Sequence, residues 1–361
     1  FGTRPNFKIT FGGNISSTAF NQAYIGVNYQ TIGRVGQQLG ADLYLGPIYT
    51  WGTIGGRTDF YMWKPVFLDY SYNFAVRNFR HGSFGNITKI DNTRQVKNSE
   101  SFFSVAAGMP LAHRGVFLIR ANGGHVNYRY DSDELFADDT DHSRYSFFGI
   151  KAELARNTLD KFLYPRRGSD LKLSGIFVTG RDKYEPFDAE KFLSRTSRQW
   201  VGARLTWDKY FDMPGCSWFS LGLNVDGVIT NHPEFTTEGA TVMSMPAYEP
   251  VPHAQMIYMP DFRGKRFAAG GVMPTFDLMP NFFLRTGFYA MFREKRSFVP
   301  GVSGPVEDKR WHYIAEASLV YHTPIGPVSL ALTKYDLRNW KNMYLTFNFG
   351  YAIFAPKGTF Y

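Results

Sequence analysis

The chain has 361 residues, with 34 Phe, 22 Tyr, 7 Trp and 35 Gly, and a formal net charge of +9 from 40 Lys+Arg against 31 Asp+Glu. Mean hydropathy is slightly negative at -0.28, and no run approaches the ~18 apolar residues that a membrane-spanning helix needs. The positive residues are scattered, with no basic helix or zinc spacing, which sets nucleic acid aside as a partner, and a single Cys216 excludes an intrachain disulfide and a cysteine metal site.

Aromatic and Gly enrichment at low mean hydropathy suits a sheet with one greasy face and one wet face, the composition of a transmembrane barrel. A chain without apolar helices can cross a membrane only as a closed barrel. In that setting the basic balance fits anionic headgroups or charge inside a lumen. No signal peptide precedes Phe1, and the chain opens mid-pattern with FGTRPNFKI. The expectation is a mature or truncated piece with further sequence upstream.

Taken in order, period-2 alternation recurs from end to end. Ile9 and Phe11 start the first segment; Ala23, Ile25, Val27 and Tyr29 form one face of the second. Leu39, Ala41, Leu43 and Leu45 mark the third, the fourth is expected near Gly56 to Lys64, and the fifth runs from Phe67 to Arg80. Further segments fall near 101–112, 115–130, 143–156, 169–181, 198–211, 217–230, 266–279, 282–294, 311–323, 327–337 and 342–354. In the middle of the chain the faces are clearest. Phe148, Ile150, Ala152 and Leu154 alternate with Gly149, Lys151 and Glu153; Val201, Ala203, Leu205 and Trp207 alternate with Gly202, Arg204, Thr206 and Asp208. Phe219, Leu221, Leu223 and Val225 alternate with Ser220, Gly222, Asn224 and Asp226. Sixteen such segments, longer than soluble strands usually run, predict an all-β fold: a 16-stranded antiparallel transmembrane β-barrel as a single domain over 1–361.

The connections carry a second signal. Even-numbered ones are mostly tight, at Val35-Gly36, Pro65-Val66, His113 to Gly115, Asp212 to Ser217, Pro280-Asn281 and Thr323 to Gly326. Many odd ones are long and polar: 81–100, 131–143, 182–197, 231–265 and 295–310. Short turns on one side and long loops on the other are the pattern of an outer-membrane barrel, and place both termini on the periplasmic side. The one long even connection is Asn157 to Gly168.

No catalytic constellation stands out. There is no G-x-S-x-G elbow and no Gly-rich phosphate loop. The eight histidines do not fall at metal spacing, and the acidic cluster Asp131, Asp133, Glu134, Asp138, Asp139 and Asp141 lacks the calcium-loop pattern and reads as a solvated loop. No cofactor, metal or chemistry is expected within this chain.

The loop of 231–265 would be the sixth on the long-loop side, and it ends in Phe262-Arg263-Gly264-Lys265. Here the sequence resembles the BamA-type outer-membrane barrel superfamily, which includes assembly factors and two-partner secretion transporters. That resemblance implies a sixth extracellular loop folded into the lumen, with Phe262, Arg263 and Gly264 as its tip motif and Lys265 where an aromatic is usual. Asn157-Thr158-Leu159-Asp160 with Tyr164-Pro165-Arg166-Arg167-Gly168 is similar to the superfamily's periplasmic turn, which accounts for the long even connection. The marks most specific to a subfamily are Arg4-Pro5-Asn6-Phe7, Gly12 to Ser17, Ala23 to Gly26, Thr323 to Leu330, Tyr335-Asp336, Trp340 and Asn348 to Tyr351. They resemble the C-terminal barrels of patatin-like phospholipases of Bacteroidetes type, bacterial surface antigens in which a lipase domain and a periplasmic linker would lie upstream of Phe1.

A guanidinium held inside a barrel needs a carboxylate, since leaving it unpaired away from bulk water costs several kcal/mol. The lumen-facing candidates are Glu316, Asp226 and Glu153, with Glu316 first because it alternates with outward Ala315 and Ala317. Where the superfamily has an acid on the thirteenth strand, Phe283-Leu284-Arg285-Thr286-Gly287 carries Arg285, which sets Arg285 to compete for Glu316. The function implied is a translocation or anchoring barrel for an upstream hydrolase. The alternative is an insertion factor that opens a seam between the first and last strands; a diffusion porin fits less well. Expected partners are outer-membrane lipids and lipopolysaccharide, periplasmic chaperones, and a client or passenger protein.

Overall fold

Alternation of large apolar with small or polar residues produces sixteen strands that pair in sequence order and close on themselves. The computed structural model describes residues 6–16, 22–46, 49–61, 63–78, 96–131, 140–185, 194–213, 215–235, 238–255, 259–294, 310–324, 326–335, 343–350 and 359. The first five strands are β1 (Asn6–Ser16), β2 (Gln22–Ile32), β3 (Gly36–Leu45), β4 (Tyr49–Tyr61) and β5 (Pro65–Asn78). Next come β6 (Val96–Leu111), β7 (Gly115–Asp131), β8 (Thr140–Asn157), β9 (Gly168–Glu185), β10 (Ser194–Met213) and β11 (Cys216–Thr230). Beyond the long loop lie β12 (Arg266–Met279), β13 (Phe282–Arg293), β14 (Trp311–Thr323), β15 (Gly326–Tyr335) and β16 (Met343–Gly350). All neighbours are antiparallel, and β1 pairs with β16 to close the barrel.

Burial follows the period of two. Ile9, Ile25, Leu39, Phe103, Phe148, Leu205, Val272 and Leu330 stand on the outer face and are exposed. Their strand neighbours Tyr24, Phe102, Val126, Phe147, Trp200 and Met273 point inward and are buried. An outer face this apolar over the full circumference is built for lipid rather than water. Tyr61, Trp63 and Phe162 project at the short-turn end, and Trp311 at the long-loop end, where amphipathic rings meet a membrane interface.

Two differences from the sequence reading have simple causes. The fourth strand begins at Tyr49, well before Gly56, because Tyr49, Trp51 and Gly52 are buried in the lumen wall and their bulk reads locally as a turn-flanked aromatic cluster. The middle strands also outrun their expected limits: β9 ends at Glu185 and β10 starts at Ser194. Ladder hydrogen bonds continue there without an apolar face to announce them. The acidic cluster from Asp133 to Asp139 lies outside the described residues, as do Arg4, Pro5, Ser17, Ile325, Asp336, Trp340 and Tyr351 of the subfamily marks.

At the seam, Gly12 to Ser16 pair with Thr346 to Gly350 among the described residues. Gly350 has a positive φ of 67°, and a Cβ there would lie 2.5 Å from the carbonyl oxygen of Phe11, so this turn of the backbone at the end of β16 requires glycine.

Candidate functional site

The segment between β11 and β12 enters the lumen. Its two ends leave the wall side by side, since the Thr230 amide donates to the Lys265 carbonyl at 3.0 Å. From there it forms a short helix α1 (Glu238–Ser244) and two single 3₁₀ turns, at Pro252–Gln255 and Pro260–Phe262. The backbone then folds on itself through an Ala247–Arg263 bridge, with the Tyr248 amide on the Phe262 carbonyl at 2.9 Å and the Gly264 amide on the Pro246 carbonyl at 3.2 Å. This accounts for its weak periodicity. It is neither helix nor strand for long, and its apolar residues Val242, Met245, Tyr248, Val251, Ala254, Met259 and Phe262 are buried by the barrel around them.

The wall grips this plug from most sides. Phe235 packs among Tyr128, Tyr145 and Trp200, with ring centroids 6.5, 5.1 and 6.3 Å away. Arg204 on β10 donates to the Ala247 carbonyl at 3.1 Å, and Arg293 on β13 donates to the Asp261 carbonyl at 3.1 Å. Tyr248 donates to Asn224 on β11 at 2.7 Å. His253 Nδ1 meets the Tyr335 hydroxyl of β15 at 2.9 Å, and its ring packs on Tyr344 of β16 at 5.0 Å. Phe262 sits against His312 and Tyr335 at 5.6 and 6.4 Å. Arg204, Arg293 and His253 were not singled out from sequence as anchors. The available signal was parity: both arginines fall on the lumen register of β10 and β13, the strands next to the two that the loop joins.

Arg263 corrects the expected lock. Its guanidinium donates to the carbonyls of Met243 and Met245 at 3.0 and 3.1 Å and lies 3.6 Å from the carboxylate of Glu249. Among the described residues, the carboxylate within salt-bridge distance of it thus belongs to the loop itself. The three expected partners are engaged elsewhere. Glu316 accepts from Ser318 at 3.0 Å and Thr333 at 3.4 Å; Asp226 receives Arg204 in a two-pronged pair at 2.6 and 3.1 Å; Glu153 pairs with Lys151 at 2.5 Å. The physical reason is proximity along a folded loop: the Ala247–Arg263 bridge brings Glu249 alongside, and a pair inside the loop needs no match to wall register. Arg285 does face Glu316 electrostatically, while its hydrogen bonds go to the Tyr210 hydroxyl at 3.1 Å and Met273 Sδ at 2.8 Å.

At the other end, the turn from Asn157 to Gly168 tucks under the barrel. Asn157 Oδ1 accepts the Leu159 amide at 3.0 Å, and Asp160 Oδ1 accepts the amides of Arg166 and Arg167 at 3.0 and 3.2 Å, which is why short acceptor side chains stand at these two positions. Gly168 has φ 99°, and a Cβ there would lie 2.2 Å from the Thr158 carbonyl oxygen. Pro165 is buried, and Tyr164, at φ 52°, reaches across to Ser329 on β15 with a 2.8 Å hydroxyl–hydroxyl bond. Its ring lies edge-on to Phe283 at 6.4 Å and beneath the Arg285 guanidinium at 5.8 Å. Arg166 pairs with Asp277 at 2.7 Å, and Arg167 pairs with Asp212. Plug and turn thus contact lumen-facing residues from opposite ends of the barrel. Among the described residues no group of three or more His, Cys, Asp or Glu side chains could hold a metal ion.

No family model and no curated protein matches the sequence. Among solved structures, BamA from Haemophilus ducreyi lacking POTRA domains 1–3 aligns with a TM-score of 0.66 at 12% identity, covering 96% of this chain and 70% of that one. CdiB from Acinetobacter baumannii aligns with a TM-score of 0.52 at 9% identity, covering 97% of this chain and 60% of that one. This chain shares with both the fold of a closed sixteen-stranded antiparallel barrel.

Proposed function

We propose that this chain is an outer-membrane barrel that inserts or translocates polypeptide, with its short-turn end and termini in the periplasm. The observation that carries the reading is the loop of 231–265 packed across the lumen of a BamA-like barrel. A filled lumen argues against free diffusion of solutes. Within that class, the marks at both ends of the sequence favour the barrel of a patatin-like phospholipase fusion that holds or delivers an upstream hydrolase. The test is an antiserum against the barrel, applied to outer membranes of the source bacterium treated with a fluorophosphonate probe for active serine. The expected result is a band larger than the barrel alone that carries the probe. A barrel-sized band without label would sink the patatin reading while leaving the barrel class standing.

The glycine pair Gly12-Gly13, which weakens β1 where it meets β16, favours a second reading, in which β1 and β16 part to template client strands. Asn14 and Asn348 are register partners, so Asn14→Cys with Asn348→Cys in a Cys216→Ser background would staple them. An insertion factor would lose client assembly when oxidised and regain it on reduction. A barrel that only anchors a hydrolase would be indifferent to the staple.

A further inference from the structure

The short-turn end carries a hollow that neither the plug nor the seam uses. The turn between β8 and β9 passes beneath the ends of β11 to β14, leaving a cavity of about 360 Å³. One side of it is polar, with the cations Lys161 and Arg166 from the turn and the imidazole of His322 from the end of β14. The other is apolar and open, formed by Trp218, Leu278 and Met279, which are 55%, 51% and 66% exposed.

The polar groups here are incompletely used. Arg166 commits a terminal nitrogen to Asp277, yet its Nε is buried with no hydrogen-bond partner among the described residues. His322 Nε2 is buried in the same condition. Lys161 is exposed and makes no ion pair among the described residues. Among the lining residues Arg166 offsets Asp277 and Lys161 supplies the remaining charge, while the nearby Asp160 carboxylate is turned to the Arg166 and Arg167 amides through Oδ1. A buried Arg Nε–H without an acceptor is uncommon in folded proteins, and a cationic group beside it, with an imidazole that can present an N–H, selects an anion with several acceptor oxygens. The apolar side requires that the anion carry a hydrocarbon part. Leu278 sits at the irregularity where the β12–β13 ladder shifts register and is exposed at the rim, and Trp218 is a ring of the kind that settles at headgroup level.

We infer that this cavity binds the phosphate headgroup of a membrane phospholipid, held by Lys161, Arg166 and His322, with the upper acyl chain against Trp218, Leu278 and Met279. Such a lipid would tie the β8–β9 turn to the rim of β12 and β13 and so hold the underside of the lumen closed. The inference rests on the membrane reading above and not on the patatin one.

The test is native mass spectrometry of the chain in neutral detergent, titrated with dioleoyl phosphatidylglycerol. The wild type should retain one lipid adduct to high activation energy. Lys161→Glu should weaken that first adduct about tenfold, as loss of one charge-assisted contact and its replacement by repulsion requires. Lys64→Glu, the same charge change on another turn of the same rim, should leave it in place. Equal retention by wild type and Lys161→Glu would overturn the site, as would equal loss in Lys64→Glu. Displacement of the lipid by an equal concentration of inorganic phosphate would also overturn it, since the apolar side would then contribute nothing. Heat-modifiable mobility of each variant separates misfolding from lost binding. A chain that will not insert into phosphatidylglycerol vesicles fails the membrane reading, whereas one that inserts without a Lys161-dependent adduct fails only this inference.

Discussion

Arg263 shows how much one side chain does when its alternatives are removed. Two loop carbonyls and Glu249 receive its donors away from bulk water, and truncation would strand all three acceptors. Breaking such a buried pair costs about 3–5 kcal/mol. Arg263→Glu is therefore expected to free the loop from its inserted fold, seen as protease cleavage within 236–262 in outer-membrane vesicles. Glu249→Arg in the same chain should restore protection in part, and Glu316→Arg should not. Rescue by Glu316→Arg alone would mean that the loop pairs with the wall after all. The two loop histidines add a dependence on pH. Burial lowers His253 to about 4 and His232 to about 3, with Lys265 adding repulsion at the second. Below the ordinary histidine value of 6.5, a released loop takes up protons that the inserted loop refuses, so insertion is fully stable above about 6.5 and weakens as pH falls toward 4. For His253 the effect is on the order of 3 kcal/mol at its limit. Loop protection measured between pH 7 and 4.5 should fall in the wild type and fall less in His253→Phe; identical profiles would remove the histidine from the account.

At the scale of elements, the β8–β9 turn is the clearest case of residue type dictated by backbone. Gly168 combines a left-handed conformation with a Cβ position already occupied by the Thr158 carbonyl. Gly168→Ala must therefore move the turn, at a cost of about 1–3 kcal/mol. That movement should carry Tyr164 away from Ser329. Tyr164→Phe removes only the 2.8 Å hydroxyl bond and is expected to cost about 1 kcal/mol. Urea midpoints of the heat-modifiable transition should rank wild type above Tyr164→Phe above Gly168→Ala. If Gly168→Ala unfolds at the wild-type midpoint, the turn contributes nothing to closure. The seam belongs to the same scale. Asn348 donates to Ser329 at 3.1 Å, so Ser329 holds both the turn and the last strand, and the turn's grip reaches the strand that closes the barrel.

At the scale of the whole molecule, the plug spans the lumen from the middle strands to the last ones. Phe235 near its start packs among Tyr128, Tyr145 and Trp200 of β7, β8 and β10, Arg204 of β10 holds the Ala247 carbonyl, and His253 reaches Tyr335 and Tyr344 of β15 and β16. Because Thr230 and Lys265 are already hydrogen-bonded neighbours, residues 232–264 can be replaced by a short hairpin turn without straining the wall. The excised barrel should still fold, since its ladders are independent of the loop, and should conduct ions in planar bilayers where the wild type is nearly closed. Equal conductance of the two would show that the plug does not fill the pore.

Strand number, lumen face and turn side were legible in the sequence because they depend on a period of two and on the spacing of turns. The alternation of Phe148 to Leu154 or Val201 to Trp207 is enforced locally wherever one face meets an apolar medium. The motif residues of the β8–β9 turn were legible for a similar reason, since their bonds run mostly to neighbours within the same turn. The plug's interior was not. Its contacts join Glu249 to Arg263, His253 to Tyr335 and Asp261 to Arg293, pairs set by how a nearly aperiodic loop collapses inside a wall of fixed register. No local pattern encodes that packing, so the sequence by itself determined the barrel and the fact of an arginine-tipped loop. Only the tertiary structure decided what the arginine holds.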